Sequence, residues 1–126
     1  MAAEKQFENK IKKFLESEGA WYIKYWAGAP YTKAGVPDIL ACVEGNFLGI
    51  EVKAERGKPE LLQLLCLQKI HDAGGYALLL YPEDFEGFCM LIKMMRAHSE
   101  QINLWTAYLT LSKKWKAWLA KKEEVM

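Results

Sequence analysis

Asp38, Glu51 and Lys53 are the residues of this chain whose types and spacing best suit chemistry. A hard divalent cation such as Mg²⁺ takes oxygen ligands, keeps several waters, and needs only one or two carboxylates beside a substrate phosphate. Asp38 and Glu51 supply that minimum, and an ion held there would polarise a phosphodiester and acidify a bound water. Lys53 can orient that water or neutralise charge developing on the phosphoryl oxygens. A neutral Lys53 acting as a simple general base is disfavoured, because neighbouring carboxylates favour the ammonium form. The chemistry implied is metal-assisted hydrolysis of a nucleic-acid backbone.

A β-hairpin brings the three together. Ile39 to Val43 is a short apolar run, Glu44-Gly45-Asn46 has turn chemistry, and Phe47 to Lys53 is a second strand-like run ending in charge. Alternation puts Glu51 and Lys53 on one face and Ile50 and Val52 on the other, in apolar packing. Antiparallel pairing sets Asp38, at the start of the first strand, near Glu51 at the end of the second. Taken alone, a Glu-X-Lys triplet is more often a solvated strand face than a site. Gly35, Pro37 and the apolar flanks argue for the site, since they fix the backbone before Asp38 and suit a hairpin that is not exposed on both faces.

Glu8, Gly35-Val36-Pro37-Asp38, Glu51-Val52-Lys53, Gly57-Lys58-Pro59, Gln63 and Gly74-Gly75 follow one another in an order that resembles the virus-type replication-repair nuclease (VRR-NUC) domains of the PD-(D/E)xK superfamily, over roughly residues 4 to 82. The resemblance implies a restriction-endonuclease-like α/β core, dependence on Mg²⁺ or Mn²⁺, and cleavage of DNA, with branched substrates such as four-way (Holliday) junctions or flaps. It assigns metal binding to Asp38, Glu51 and the carbonyl of Val52, and catalysis to Lys53. It also draws in Glu8, on the first helix near the metal or its waters, and Gln63, where an amide can bond the lysine, a water or the substrate. Glu8 has an equally good reading on a solvated helix face where Glu4, Lys5, Glu8, Lys12 and Glu16 form ordinary i,i+4 charge pairs.

The elements around the hairpin read as an α/β fold with a mixed central sheet flanked by helices. A first helix spans about Ala3 to Glu18, burying Phe7, Ile11, Phe14 and Leu15, and Gly19 ends it. Trp21 to Trp26 is expected as a strand, and 27–34 as a loop whose Tyr25, Tyr31 and Lys33 could reach DNA. Arg56 and Lys58 lie in a basic turn that could hold phosphates. Pro59 is expected to start a helix ended by Gly74-Gly75. Tyr76 to Tyr81 is apolar enough for a central strand, and Pro82-Glu83-Asp84 opens a helix of about fourteen residues, with Met94 and Met95 on its apolar face. The whole chain reads as one domain, with a core over about 4–97 and a helical extension over 98–126. Within that extension Leu104, Tyr108, Leu111, Trp115 and Trp118 make one helical stripe. The stripe could close the core, form a homodimer interface, or grip DNA together with nearby lysines, with the first two readings favoured.

At 126 residues and 52% hydrophobic content the chain can bury a core, while a net charge of +1 gives only weak support for nucleic acid. Cys42, Cys66 and Cys89 are odd in number and set in apolar runs, as for reduced buried thiols in a cytoplasmic protein of a bacterial or phage-infected cell. No run is long and apolar enough for a membrane span. The expectation is a metal-dependent DNA endonuclease, as a homodimer. The alternatives are a nuclease subunit working with a helicase or another replication or recombination protein, or a non-catalytic DNA-binding module on a nuclease scaffold.

Overall fold

Turn chemistry and alternation produce the hairpin at the centre of the molecule, described here from a computed structural model that covers residues 2–26 and 32–125. Strands β2 (Ile39–Val43) and β3 (Asn46–Val52) pair antiparallel, with Ile39 opposite Ile50 and Val43 opposite Asn46. Glu44 and Gly45 both take positive φ at the turn, and the Asn46 amide donates to the Val43 carbonyl at 3.0 Å. On the other side of β2, β1 (Trp21–Lys24) pairs antiparallel, with Trp21 opposite Cys42 and Lys24 opposite Ile39. It is shorter than the sequence suggests, ending two residues before Trp26.

The chain leaves β3 through a basic turn, forms α2 (Leu61–Asp72), and returns as β4 (Tyr76–Leu80) parallel to β3, with Val52 opposite Leu80. A parallel neighbour requires such a crossover, and a helix supplies it. The sheet order among the described residues is β1-β2-β3-β4, mixed in direction. Helix α2 starts at Leu61 rather than Pro59, because the Glu60 N–H is held by the Gln63 side chain at 2.9 Å and Glu60 becomes the cap. Pro82–Asp84 form a separate 3-10 turn before α3 (Phe85–Arg96), tied by the Tyr81 N–H donating to Asp84 Oδ2 at 2.8 Å.

Two apolar clusters lie on opposite faces of the sheet. On one face Ile39, Ala41, Val43, Leu48, Ile50, Val52, Tyr76, Leu78 and Leu80 pack against α1 (Ala2–Ser17) through Phe7, Ile11 and Leu15, and against α3 through Phe88, Leu91, Ile92 and Met95. On the other, Ala77, Leu79 and Tyr81 pack against Leu64 and Leu67 of α2 and Trp115 and Leu119 of α4 (Gln101–Glu124). Helix α4 also places Leu104 and Tyr108 in the first cluster, so it wraps from one side of the sheet to the other. This fold is restriction-endonuclease-like α/β.

Two expectations need correction. Strand β4 is at the sheet edge, not its centre; its uniform burial comes from helices on both faces and from α4 closing the edge. An open edge presents unpaired backbone groups, which proteins must cover. Here the Trp115 indole N–H donates to the Ala77 carbonyl at 2.8 Å, and the Ala77 N–H donates to the Tyr108 hydroxyl at 3.1 Å. The stripe of α4 is therefore core at Leu104, Tyr108 and Trp115, whereas Leu111 and Trp118 are half-buried. The thiols are free, but not buried: Cys42 is exposed and Cys66 and Cys89 are half-buried. Cys42 alternates onto the sheet face that α2 leaves uncovered, beside exposed Trp21 and Phe47 in register across three strands. No helix among the described residues is long and apolar enough to cross a membrane.

Candidate active site

Pro37 and Gly35 hold the approach to Asp38 by close packing. Gly35 has φ of +85°, and a Cβ there would lie 2.8 Å from the Leu62 carbonyl of α2. Pro37 sits over Gly49 of β3, where a Cβ would come 3.2 Å from its ring and 2.6 Å from Ile70. Glycines are needed where backbone and helix approach this closely. The result fixes Asp38 against the end of β3, where its Oδ2 accepts the Val52 N–H at 2.8 Å, while its own carbonyl accepts from the Tyr25 N–H at 2.8 Å. The convergence expected from hairpin geometry is present.

Glu51 lies on the α2 face of β3 and is only 2% exposed. Its Oε2 accepts from the Gln63 amide at 2.9 Å and lies 3.7 Å from the Lys53 ammonium. Its Oε1 is buried without a hydrogen-bond partner among the described residues. A buried unpaired carboxylate oxygen is costly. Burial, together with the Asp38 charge, pushes the Glu51 carboxyl up to about 9, against a smaller opposing effect of Lys53. Gln63 is pinned at both ends of its amide, since its Oε1 also accepts the Glu60 N–H. It holds Glu51 rather than Lys53.

Glu8 is brought to the same place from α1, but its oxygens are occupied. Oε1 accepts from Lys24 at 2.6 Å, and Oε2 lies 3.2 Å from Lys12 and 3.3 Å from Lys5. Burial acts to raise its pKa, yet the bonds from Lys24, Lys12 and Lys5 outweigh it and hold the carboxyl below its ordinary range. The i+4 pair with Lys12 expected on the helix exists and an i−3 pair with Lys5 joins it, but the face is not solvated there, since Glu8 is only 4% exposed. Lys24 was not singled out by sequence reasoning. It stands 3.5 Å from Asp38 Oδ1 as well, so it links Glu8 of α1 to Asp38 of the hairpin. Only the register of β1 on β2, which puts Lys24 opposite Ile39, reveals this; no motif marks it.

Lys53 follows β3, its N–H donating to the Leu80 carbonyl at 3.0 Å, and its stem packs on Gly57, where a Cβ would sit 3.2 Å from Lys53 Cβ. Arg56 and Lys58 flank that glycine and are exposed. Lys33 is exposed elsewhere, at the rim of a cleft of about 550 Å³ with Phe47, Cys66 and Lys69. Tyr25, considered as a DNA contact, is bound to Lys33: its hydroxyl accepts the Lys33 N–H at 2.8 Å and donates to the Lys33 carbonyl at 3.2 Å. Tyr31 lies outside the described residues.

The site fits a hard cation in its donor chemistry. Two carboxylates meet at one sheet end, one of them with a buried oxygen that has no hydrogen-bond partner among the described residues, and the Val52 carbonyl belongs to the same backbone segment. No group of three or more His, Cys, Asp or Glu side chains stands ready to hold a metal among the described residues. Two carboxylates supply the minimum that a hard divalent cation needs beside waters and substrate oxygens.

Residues 2–72 match the family model of the archaeal Holliday junction resolvase (Hjc). The match takes in α1, β1, β2, β3 and α2, with every residue of the site just described. The superfamily indicated by Gly-X-Pro-Asp and Glu-X-Lys therefore stands, and the family that the match names within it is the resolvase. No curated protein and no solved structure matches the chain.

Proposed function

As the chain belongs to the archaeal Holliday junction resolvase family, a family of structure-selective nucleases, we propose that it is a divalent-metal-dependent endonuclease that nicks the strands of four-way DNA junctions. The observation that carries the metal dependence is Glu51, buried beside Asp38, with one oxygen that has no hydrogen-bond partner among the described residues and a charge disfavoured until a cation joins it. Asp38, Glu51 and the Val52 carbonyl would hold Mg²⁺ or Mn²⁺, which when bound supplies Lewis-acid polarisation of the scissile phosphate.

The chain's own residues account for the rest. Gln63 fixes one oxygen of Glu51 and leaves the other available as a ligand. The Val52 N–H fixes Asp38. Lys53 stands half-buried 3.7 Å from Glu51, suited to offset charge on the phosphoryl oxygens or to orient the attacking water. Glu8 acts through Lys24, which it holds against Asp38. Arg56, Lys58 and Lys33 contact backbone phosphates, which position DNA without reading its sequence.

Resolution needs two nicks related by the junction's two-fold axis, so the reading includes a second copy of the chain. The exposed Trp21, Cys42 and Phe47 face of the sheet is the surface offered to it.

The test is cleavage of four-way junction, flap, fork and linear duplex DNA across a titration of Mg²⁺ and Mn²⁺. Paired nicks in the junction, none in chelator, and little cutting of linear duplex are expected. Equal cutting of linear duplex, or cutting unaffected by chelator, would contradict the reading.

A further inference from the structure

Strand β4 and helix α4 lie beyond the residues matched to the family, yet they reach Lys53 through Tyr81. Val52 pairs with Leu80, and the Lys53 N–H donates to the Leu80 carbonyl at 3.0 Å, so one step further in the same register sets Lys53 beside Tyr81. Glu51 pairs with Leu79, and alternation therefore puts Lys53 and Tyr81 on the face that carries Glu51. Side chains on one face of paired strands lie within reach of each other.

Lys53 leads into a turn that stands away from the body of the fold. The Gly57 N–H donates to the Ala54 carbonyl at 2.8 Å, which closes the turn with Glu55 and Arg56 at its exposed tip. Between the turn and the residues that follow β4 lies a crevice of about 340 Å³, lined by Glu55, Tyr81, Pro82 and Glu83. The Tyr81 hydroxyl ties the two sides together by donating to the Gly57 carbonyl at 2.7 Å. Gly57 in turn lies against the lysine stem, since a Cβ there would come 3.2 Å from both Cβ and Cδ of Lys53. Only Cε separates that Cδ from the ammonium, so the place of Gly57 bears on where the ammonium sits, 3.7 Å from Glu51 Oε2.

Tyr81 is itself held firmly. Its N–H donates to Asp84 Oδ2 at 2.8 Å, and its buried ring packs with Leu64, Leu67, Trp115 and Leu119. Lys114 of α4 lies 5.0 Å from the centre of that ring and donates to Asp84 Oδ1 at 3.0 Å. Burial raises the phenol pKa against smaller opposing effects of Trp118 and Lys114, so the hydroxyl stays a donor. A phenylalanine would fill the same core; the hydroxyl is the part that the turn uses.

We infer that Tyr81 is a positioning residue for Lys53: its hydroxyl pins the Gly57 turn against the lysine stem and so sets the ammonium beside Glu51. This rests on the junction-nuclease reading above. It makes β4 and α4, outside the family match, part of the support of the site.

The test is single-turnover cleavage of a four-way junction, at saturating protein with Mg²⁺, by the wild type, Tyr81→Phe, Lys53→Ala and the variant carrying both changes. Tyr81→Phe should lower the rate by roughly tenfold, short of the ~10²-fold that an ångström of misplacement can cost. In the Lys53→Ala background the same change should have almost no effect, because residues that act through one another are not additive. Junction affinity in chelator and the thermal midpoint should stay near those of the wild type, since Gly57 is half-exposed and its carbonyl can turn to water. An undiminished rate for Tyr81→Phe overturns the inference. So does a loss of equal size with and without Lys53, which assigns the tyrosine to the fold alone, or a loss confined to affinity, which assigns the turn to phosphate contact. Should Tyr81→Phe not fold, Gly57→Ala decides by the same comparison, because its added Cβ displaces the lysine stem and leaves Tyr81 in place. A wild type that cuts junctions while these variants cut as well removes this inference alone; a wild type that does not cut them removes the junction-nuclease reading with it.

Discussion

The Gln63 amide donates to one oxygen of the Glu51 carboxylate at 2.9 Å, and the other oxygen is buried with no hydrogen-bond partner among the described residues. A protein selected for stability alone would not keep this arrangement, because an unsatisfied buried polar group costs free energy without return. The relation suits a group held ready for a ligand.

Glu51→Gln should stabilise the metal-free protein at neutral pH. Burial raises the folded-state pKa of Glu51 from 4.5 to about 9, so the folded chain keeps a proton that the unfolded chain releases. The stability associated with this group is therefore complete below the unfolded value and is lost as pH rises toward the folded one. Thermal melts in chelator should show wild-type midpoints falling between about pH 5 and 9, and a flatter profile for Glu51→Gln. Added Mg²⁺ should raise the wild-type midpoint and leave that of the variant unchanged. A wild-type profile as flat as the variant's would count against a strained carboxylate.

Lys24→Met should uncouple α1 from the hairpin. It removes the cation shared by Glu8 and Asp38, and misplacement of a reacting group by an ångström can cost ~10²-fold in rate. Single-turnover cleavage at saturating protein should fall toward that extent, with Lys24→Arg recovering most of it. Loss confined to DNA affinity would make Lys24 a phosphate contact instead.

Tyr108→Phe tests the closure of the β4 edge. The hydroxyl accepts the Ala77 N–H and lies 2.8 Å from His71 Nδ1, so its removal leaves a buried N–H unpaired. The expected loss is about 1–3 kcal/mol in denaturant unfolding, the cost of an unsatisfied buried group, with the catalytic residues unaltered. A loss within a few tenths of a kcal/mol would show that the edge does not depend on this bond.

Phe47→Ser tests the surface offered to a second copy. Phe47 is 46% exposed, in register with Cys42 and Trp21, so the change should leave the fold intact while weakening self-association. Sedimentation should show a shift toward monomer, and cleavage a shift from paired to single nicks. An unchanged oligomeric state would place the interface elsewhere.

The hairpin was legible because its signals are local: turn residues, alternation and a Gly-X-Pro-Asp approach all lie within residues 35–53, and together they place Asp38 beside Glu51. Gln63 was legible through its place in a motif, but its partner was not, because a side-chain amide reaching from α2 to β3 leaves no periodic trace. Lys24 was missed for the same reason: it is separated from Asp38 by a loop and meets it only through strand register. The burial of β4 misled because a run of Tyr76 to Leu80 looks alike whether strands or a helix cover its edge. Here the edge is sealed by Tyr108 and Trp115, some thirty or more positions away in the chain.

The central claim is that Asp38, Glu51 and Lys53 form a metal-dependent phosphodiester-cleaving site. Single-turnover cleavage of a labelled four-way junction, at saturating protein with Mg²⁺ or Mn²⁺, tests it most directly when the wild type is set beside Asp38→Asn, Glu51→Gln and Lys53→Ala. The account predicts no detectable cutting by the two carboxylate variants and a loss of ~10²-fold or more for Lys53→Ala, with all three still binding the junction. Undiminished cutting by Glu51→Gln, in a protein shown to be folded, would contradict it.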